Sequence, residues 1–230
     1  MVIKQDVVDF HSHILPGADH GSSSVSETLL QLSFAAEHSV SRVIATPHFY
    51  PMAHTVESFL DRRSRAMEEL ESATERCKVS VVLGAEVLIC DSIERMQRIE
   101  KLFIGKSNTI LLELPTGGFS DSYITSVRNF IKNGVRVVLA HADRYAAESI
   151  ERLVDVGAKI QLNADALSRI FIRGAVKNWL RDDLVVALGS DIHGKDSGAY
   201  KRFVKATERV GDKLSIIRSV SDGIWLEATK

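Results

Sequence analysis

Nine residues able to bind a metal ion stand at or just beyond the ends of short apolar segments. They are His11, His13, His20, His48, Glu86, Glu113, His141, Asp191 and His193. His11 and His13 are two residues apart, so in an extended strand both side chains point to the same face. Imidazole and carboxylate donors without a thiolate suit Zn²⁺, Mn²⁺ or iron rather than a structural zinc site. We therefore predict a metal centre.

The number of donors indicates more than one ion. Six imidazoles and three carboxylates exceed what a single divalent ion takes, so two or three metals are expected, with one glutamate bridging. Three divalent ions against three carboxylates would leave about three net positive charges. A cleft with this charge favours an anionic substrate, and phosphate above all.

Each donor taken singly has a simpler interpretation. A lone histidine such as His20 or His48 could be an ordinary hydrogen-bonded side chain. Glu113 could be a carboxylate at a helix N-terminus, and Asp191 could cap the helix that follows it. The joint pattern decides against these interpretations, because burying so many ionisable groups together without a cation is expensive.

Seven short apolar strands must position these donors. Each is rich in Val, Ile and Leu without polar alternation, as in a parallel sheet buried on both faces. The strands are predicted at residues 6–10, 42–46, 79–86, 109–114, 136–140, 159–163 and 184–189. The donors fall at the ends of six of them, which in a β/α barrel form the C-terminal rim that carries the chemistry.

Amphipathic segments of helical period separate the strands. One helix opens at Ser24, with Glu27 three residues later as a capping signal. The others are predicted at residues 55–76, 91–101, 120–132, 148–156, 166–180 and 198–209. Gly134 and Gly157 follow two of them as C-terminal signals.

Seven strand-then-helix units in 230 residues predict an α/β protein built as a closed or nearly closed barrel. A doubly wound open sheet is the alternative, and the lack of a Gly-rich phosphate fingerprint after the first strand disfavours it. No linker or break in composition divides the chain, so residues 1–230 are expected to form a single domain.

Composition and charge limit the partners and the cellular compartment that we expect. The formal net charge is -1, so no overall basic field points to nucleic acid as the partner. Cys77 and Cys90 lack any C-x-x-C spacing and fit ordinary thiols of a reducing compartment. No leader-like segment and no apolar stretch of about 20 residues is present, so we expect a cytoplasmic protein without membrane insertion.

Six motifs together resemble a known family. They are HSHILPGADHG at residues 11–21, ATPH at 45–48, GAE at 84–86, LLELP at 111–115, AHADR at 140–144 and GSDIH at 189–193. Their order and chemistry are similar to those of the PHP (polymerase and histidinol phosphatase) superfamily. Within it the chain most resembles the bacterial metal-dependent protein-tyrosine phosphatases encoded with capsule and exopolysaccharide genes.

The resemblance implies a distorted (β/α)7 TIM-like barrel of the PHP type with three metals, Mn²⁺ in the first place and Zn²⁺ or iron as alternatives. One ion would be held by His11, His13, Glu86 and Asp191. The second would be held by Glu86, Glu113 and His141, with Glu86 bridging, and the third by His20, His48 and His193. The implied partner is the phosphorylated tail of a tyrosine autokinase, or else a small phosphoester.

The chain departs from the family pattern at three places in the site, one of which is His141-Ala142-Asp143-Arg144, where the family has H-P-E-R. His20 stands where the branch usually has the second Asp of Asp-Asp-Gly. Arg144 is retained three residues after His141 and would contact the substrate phosphate, but the arginine that usually follows the D-x-H motif is missing. Lys195 and Lys201 are the residues that could take its place, although lysine cannot make the bidentate contact of arginine.

The expected reaction is phosphomonoester hydrolysis by a metal-bridged hydroxide, because a metal lowers the pKa of its bound water from 15.7 toward about 7. Arg144, Glu86 and Asp191 are the predicted catalytic residues, with Arg144 neutralising oxygens that gain charge in the transition state. The alternatives are a phosphatase for a small metabolite such as histidinol phosphate, an amidohydrolase or TatD-like metal nuclease, and a catalytically dead regulatory relative.

Overall fold

The computed structural model describes residues 6–72 and 78–230. Its sheet consists of nine parallel segments. These are β1 (Asp9–Ser12), β2 (Arg42–Ala45), β3 (His48–Phe49), β4 (Ser80–Leu83), β5 (Glu86–Leu88), β6 (Thr109–Glu113), β7 (Arg136–Leu139), β8 (Lys159–Asn163) and β9 (Val185–Gly189). All seven predicted strands are present, the second and third as two segments each.

The order of the segments is β3-β5-β6-β7-β8-β9-β1-β2-β4. Because β2 and β3 belong to one strand and β4 and β5 to the next, the two ends of this order are the same strand pair. The sheet therefore curls round on itself as a distorted seven-stranded TIM-like barrel, and the pairing of β1 with β9 rules out the open doubly wound alternative.

The breaks in the second and third strands lie at Pro47 and Gly84. Proline has no N–H for the ladder, so β2 ends before it. The Gly84 N–H donates to the Ala45 carbonyl at 2.8 Å, and the Glu86 N–H donates to the Pro47 carbonyl at 3.1 Å, which carries the pairing across the break. His48 consequently becomes the direct register partner of Glu86.

Helices cover the outside of the barrel. They are α1 (Val25–Glu37), α2 (Val56–Glu71), α3 (Asp121–Lys132), α4 (Ala147–Val154), α5 (Ala164–Ser168), α6 (Gly174–Arg181), α7 (Ala199–Arg209) and α8 (Leu214–Ala228). Ser24, Thr55 and Ser120 cap α1, α2 and α3 through side-chain oxygens that accept backbone N–H bonds.

The last part of the helix predicted at 55–76 lies outside the described residues, as does Cys77. No helix of the described residues is both long and apolar enough to cross a membrane.

The helix predicted at residues 91–101 is wrong. Two single turns of 3₁₀ helix, Ile93–Arg95 and Ile99–Leu102, stand there instead. Ser92 and Arg98 precede them in the left-handed conformation, with φ of 59° and 63°, which interrupts a continuous α-helix. Local periodicity did not predict these two left-handed residues; the second of them, Arg98, forms an exposed ion pair with Glu57 of α2.

The helix predicted at 166–180 is interrupted between α5 and α6. Arg169 is extended, with ψ of 155°, so α5 ends at Ser168. Arg209 of α7 donates to the Arg169 carbonyl, and Arg173 donates to the Asp143 carbonyl. The first bond satisfies a carbonyl of the interrupted segment, and the second ties Arg173, just before α6, to the segment after β7.

Two apolar layers hold the barrel together. An outer layer packs the strands against the helices, and an inner layer fills the barrel from alternate strand positions, among them Phe10, Ile44, Leu111 and Val138.

Helix α8, absent from the sequence prediction, adds Ile224, Trp225 and Ala228 to the inner layer. The Lys106 N–H just before β6 donates to the Ala228 carbonyl, and Arg42 at the start of β2 pairs with Asp222. Helix α8 therefore closes the N-terminal end of the barrel and leaves the C-terminal rim to the predicted donors.

Candidate metal centre

His11 and His13 leave the end of β1 with their Nε2 atoms 3.1 Å apart. The Nδ1–H of His11 donates to Gln161 Oε1 at 3.1 Å, and the Nδ1–H of His13 donates to Asp19 Oδ2 at 2.7 Å. With both Nδ1 atoms used in this way, the two Nε2 lone pairs face each other. Such a pair needs a proton or a cation between its members.

Glu86 lies at the centre of the cluster and is fully buried. Its Oε2 is 3.1 Å from His11 Nε2, 3.2 Å from His13 Nε2 and 3.0 Å from His48 Nδ1. Its other oxygen, Oε1, is 2.6 Å from His141 Nε2. One carboxylate thus faces four imidazoles with its two oxygens, an arrangement that suits a bridging ligand.

Asp191 closes the cluster from the end of β9. Its Oδ1 is 3.7 Å from His11 Nε2, 3.4 Å from His13 Nε2 and 3.6 Å from His193 Nδ1. Its backbone has φ of 51°, in the left-handed region, and His141 likewise has φ of 31°. Non-glycine residues in this region are concentrated at functional sites, where the surrounding structure holds the strain.

Glu113 and His48 form the opposite side of the cluster. Glu113 Oε2 is 3.6 Å from His48 Nδ1, and Glu113 Oε1 is 3.8 Å from His141 Nε2. Glu113 is more open than Glu86, with 16% of its side chain exposed against 0%. It therefore lies where the buried cluster meets solvent.

A group of imidazoles lies beside these carboxylates. Donor atoms of His13, His48 and His193 are within 4.8 Å of one another. His20 is exposed, and its ring stacks 4.8 Å from the rings of both His48 and His193, measured between centroids. Of the predicted third ligand set, His48 and His193 thus share a donor group with His13, whereas His20 lies outside that group and stacks against it.

Among the described residues, four donor groups meet the spacing of a metal site. They are His13, His48 and His193; His11, His13 and Asp191; His11, Glu86 and His141; and His48, Glu86 and Glu113. Because the groups share members, they form one connected cluster. All nine predicted ligands lie in it or directly against it.

The charged groups of the cluster shift one another's pKa values. Burial opposes ionisation of Glu86, but His11, His13 and His141 outweigh it and hold its pKa well below the usual range. Burial also lowers the pKa of His48, yet the neighbouring carboxylates of Glu113 and Glu86 raise it to about 9. Burial and the neighbouring His13 lower the pKa of His193 to about 4. The site favours anionic carboxylates and crowds imidazoles around them.

The donors fit divalent metal ions. Among the described residues, the buried atoms Glu86 Oε2, Glu113 Oε2, His48 Nδ1 and His193 Nε2 have no partner in hydrogen-bond geometry. These atoms are of the type that coordinates a metal, and all belong to the same cluster. Nitrogen and carboxylate oxygen donors without sulfur suit Mn²⁺, Zn²⁺ and iron.

Residues that the sequence analysis missed hold the ligands in place. Gln161 Oε1 accepts from the His141 N–H at 2.6 Å, and the Asn163 side chain donates to Asp191 at 2.8 Å. Asp9 accepts from both the N–H and the hydroxyl of Ser190, at 2.7 and 2.6 Å. The available signal was that all three are polar positions in otherwise apolar strands, although only Asp9 lies in a strand whose end carries ligands; β8, which holds Gln161 and Asn163, carries none.

Arg144 lies over the rim with about half of its side chain exposed, and its guanidinium donates to Asp191 Oδ2. It also lines a pocket of about 390 Å³ that includes Glu113 and His141. Lys195 is exposed on the segment that leads into α7, Lys201 is exposed in the first turn of α7, and neither is among the residues that line this pocket. Hydrogen bonds from Ser23 lower the pKa of Glu27, and nearby Lys195 adds to that effect.

A cluster of this kind at the C-terminal rim of a β/α barrel is typical of metal-dependent hydrolases. The chain belongs to the capsular polysaccharide synthesis family CpsB/CapC, whose family model matches residues 7–215. This result confirms the resemblance inferred from the six motifs.

Two relatives illustrate the family. The chain is 26% identical over 211 residues to the tyrosine-protein phosphatase CpsB of Streptococcus pneumoniae, covering 83% of this chain and 84% of the relative. It is 26% identical over 198 residues to the putative tyrosine-protein phosphatase CapC of Staphylococcus aureus, covering 81% and 77%.

Solved structures agree on the fold. A crystal structure from work on YwqE of Bacillus subtilis and CpsB of Streptococcus pneumoniae, described as unique metal-dependent tyrosine phosphatases, superposes with a TM-score of 0.78. The match has 18% identity and covers 96% of this chain and 94% of the other. A β-aspartyl dipeptidase of Fervidobacterium islandicum shares the fold more distantly, with a TM-score of 0.57 and 14% identity.

Proposed function

We propose that this chain is a metal-dependent protein-tyrosine phosphatase that cleaves the phosphomonoester of a phosphotyrosine side chain. The observation that carries the proposal is the position of Glu86, whose two carboxylate oxygens lie within 3.2 Å of nitrogens from four histidines. The names of the relatives add the substrate class, since they are described as tyrosine-protein phosphatases.

We assign three ligand sets within the cluster. His11, His13, Glu86 and Asp191 form the first, and Glu86, Glu113 and His141 form the second. The third consists of His20, His48 and His193. Manganese is the proposed metal, and zinc or iron would suit the same donors. When bound, the metals supply an activated water for attack on phosphorus and neutralise charge on the phosphoryl oxygens.

The protein's own groups bind and orient the phosphoryl group. Arg144 is placed to donate to phosphoryl oxygens, because its guanidinium is tied to Asp191 at the edge of the cluster and still half exposed. Glu86 and Asp191 keep the imidazoles of His11 and His13 in place. Lys195 and Lys201 are proposed to attract the anionic chain around the phosphorylated residue.

We propose the phosphorylated tail of a tyrosine kinase of the capsule or exopolysaccharide system as the partner. The reaction would then take place in the cytoplasm, and residues 1–230 would act as one functional unit. A protein tail reaches the site readily, because Arg144, His20 and Glu113 all lie where the cluster meets solvent.

The test uses purified protein loaded with Mn²⁺ and two peptides that differ only in phosphotyrosine or phosphoserine. Phosphate release from the phosphotyrosine peptide is expected, and a chelator should abolish it. The control is readdition of Mn²⁺ after the chelator is removed, which should restore activity. Full activity in excess chelator would contradict the proposal.

A further inference from the structure

The pocket beside Arg144 shares one side with the metal centre. Three of its lining residues are Glu113, His141 and Arg144, which belong to the candidate site. The other lining residues are apolar, small or uncharged: Leu114, Pro115, Thr116, Gly118, Phe119, Tyr145, Ala146 and Ser149. Beside the candidate ligands there is therefore a recess whose lining is somewhat more apolar than polar, and its charged residues are those of the candidate site.

The walls of this pocket are joined to each other. The Tyr145 hydroxyl donates to the Leu114 carbonyl at 2.9 Å, which ties the segment after β6 to the segment after β7. The pocket is thus formed before any ligand enters.

Phe119 is held in place from outside the pocket. The Arg152 guanidinium lies over its ring at 4.9 Å from the centroid, and the Tyr123 ring meets it nearly at right angles, 5.9 Å away. Gly118 has φ of 128°, a conformation that favours glycine, and so turns the chain just before the ring. These contacts hold the half-buried Phe119 side chain in place, so its ring lines the pocket in one orientation. Little side-chain entropy of Phe119 is then lost when a ligand binds.

We propose that this pocket binds the leaving group of the ester, that its ligand class is a planar aromatic ring, and that Phe119 determines this specificity. The inference rests on the proposed function, since a phosphoryl group held by the metal centre and Arg144 must direct its ester substituent into an adjacent space. Aromatic pairs contribute beyond simple area burial, so Phe119 favours an aryl over an alkyl substituent.

The charges of the pocket oppose the small-metabolite alternative. An amino-alkyl phosphate would bring an ammonium group into the recess, where it would need a carboxylate. Glu113 is the one carboxylate among the lining residues, and we have assigned it as a ligand of the second metal. An ammonium in this pocket would lose its hydration without gaining a free counter-ion.

Calorimetric binding to the Mn²⁺-loaded protein separates these possibilities without requiring turnover. The ligands are inorganic phosphate, methylphosphonate and phenylphosphonate. Wild-type protein should bind phenylphosphonate about tenfold more tightly than methylphosphonate, equivalent to about 1.4 kcal/mol. Phe119→Ala should reduce this ratio to about twofold, and Phe119→Leu should give an intermediate ratio, while the affinity for phosphate stays unchanged in both.

Two further variants complete the design. Phe171→Ala removes an aromatic ring that is 87% exposed and does not line the pocket, so it should leave all three affinities unchanged. Ser149→Trp fills the pocket from α4 and should weaken phenylphosphonate binding while sparing phosphate. Equal binding of the two phosphonates by wild type, or a ratio that survives Phe119→Ala and Ser149→Trp, would overturn the pocket assignment. Failure of inorganic phosphate to bind would instead overturn the proposed function.

Discussion

Asp19 accepts a 2.7 Å hydrogen bond from His13 Nδ1, and this bond turns the other ring nitrogen of His13 toward Glu86 and Asp191. The same carboxylate accepts from the backbone N–H groups of His48 and Gly21. Burial acts to raise the pKa of Asp19, but the hydrogen bond and charge of His13 outweigh it and lower that pKa. Asp19 therefore stays ionised. It orients the ring of His13 and holds the backbone of His48, which is also a candidate ligand.

Asp19→Asn should weaken metal binding by about 10- to 100-fold, because partners that orient a ligating histidine have effects of this size. The measurement is a competition titration of bound Mn²⁺ against a chelator. Asp61→Asn, an exposed aspartate on α2, is the matched control and should bind metal like the wild type. Equal affinities of the two variants would show that Asp19 has no orienting role.

Glu86→Gln should lower the metal affinity of the two sets that share Glu86, and the phosphatase activity, by more than about 100-fold, a larger loss than removal of a ligand-orienting residue causes. The neutral amide cannot offer two anionic oxygens to four imidazoles. Metal analysis after gel filtration measures the retained metal, and Glu68→Gln on the exposed side of α2 serves as the control. Full metal occupancy in Glu86→Gln would contradict the bridging role.

Arg144→Lys should reduce kcat/KM for a phosphotyrosine peptide by about tenfold or more, because lysine keeps the charge but loses the fork of guanidinium donors. Arg144→Ala should reduce it further. Metal content should remain that of the wild type in Arg144→Lys. An unchanged inhibition constant for inorganic phosphate in both variants would remove Arg144 from the substrate site.

Metal affinity should rise as the pH increases from about 6.5 to about 9. In the metal-free chain the pKa of His48 is raised to about 9, so a proton competes with the metal across this range. Because this folded-state pKa lies above that of an unfolded histidine, its contribution to stability is full below about pH 6.5 and is lost as the pH rises through 9.

Thermal denaturation of metal-free and Mn²⁺-loaded protein at pH 6.5 and 9 tests this linkage. The stabilisation by metal should be larger at pH 9, at constant ionic strength and free metal. A stabilisation that is the same at both values, or larger at pH 6.5, would show that protons do not compete for these ligands.

Trp225→Ala should lower the free energy of unfolding by about 3 kcal/mol or more, the range for removing a buried tryptophan from a core. Trp225 is 7% exposed and fills the N-terminal end of the barrel. Leu226→Ala, at a residue that is 62% exposed, should change stability by about 0.5 kcal/mol or less. Denaturant unfolding measures both, and kcat of Trp225→Ala should be preserved well below its unfolding temperature, since α8 lies opposite the site.

Much of the architecture could be predicted from local pattern. Apolar runs between capped amphipathic helices marked all seven strands, and Ser24, Thr55 and Ser120 marked three helix starts. The two helix predictions that failed, at 91–101 and 166–180, did so where Arg98, Arg173 and Arg209 make long-range contacts. Periodicity records which face of a segment is apolar, and it does not record which distant group competes for the backbone.

The sequence by itself determined that imidazoles and carboxylates gather at one rim, because parallel strands of a barrel end on the same side and each donor follows a strand. Only the tertiary structure decided that Glu86 stands opposite His48, that Asp19 orients His13, and that Arg144 pairs with Asp191. These relations depend on strand register, on breaks such as that at Pro47 and on side-chain packing across the barrel. They arise from contacts between residues far apart in the chain, which spacing along one strand does not contain.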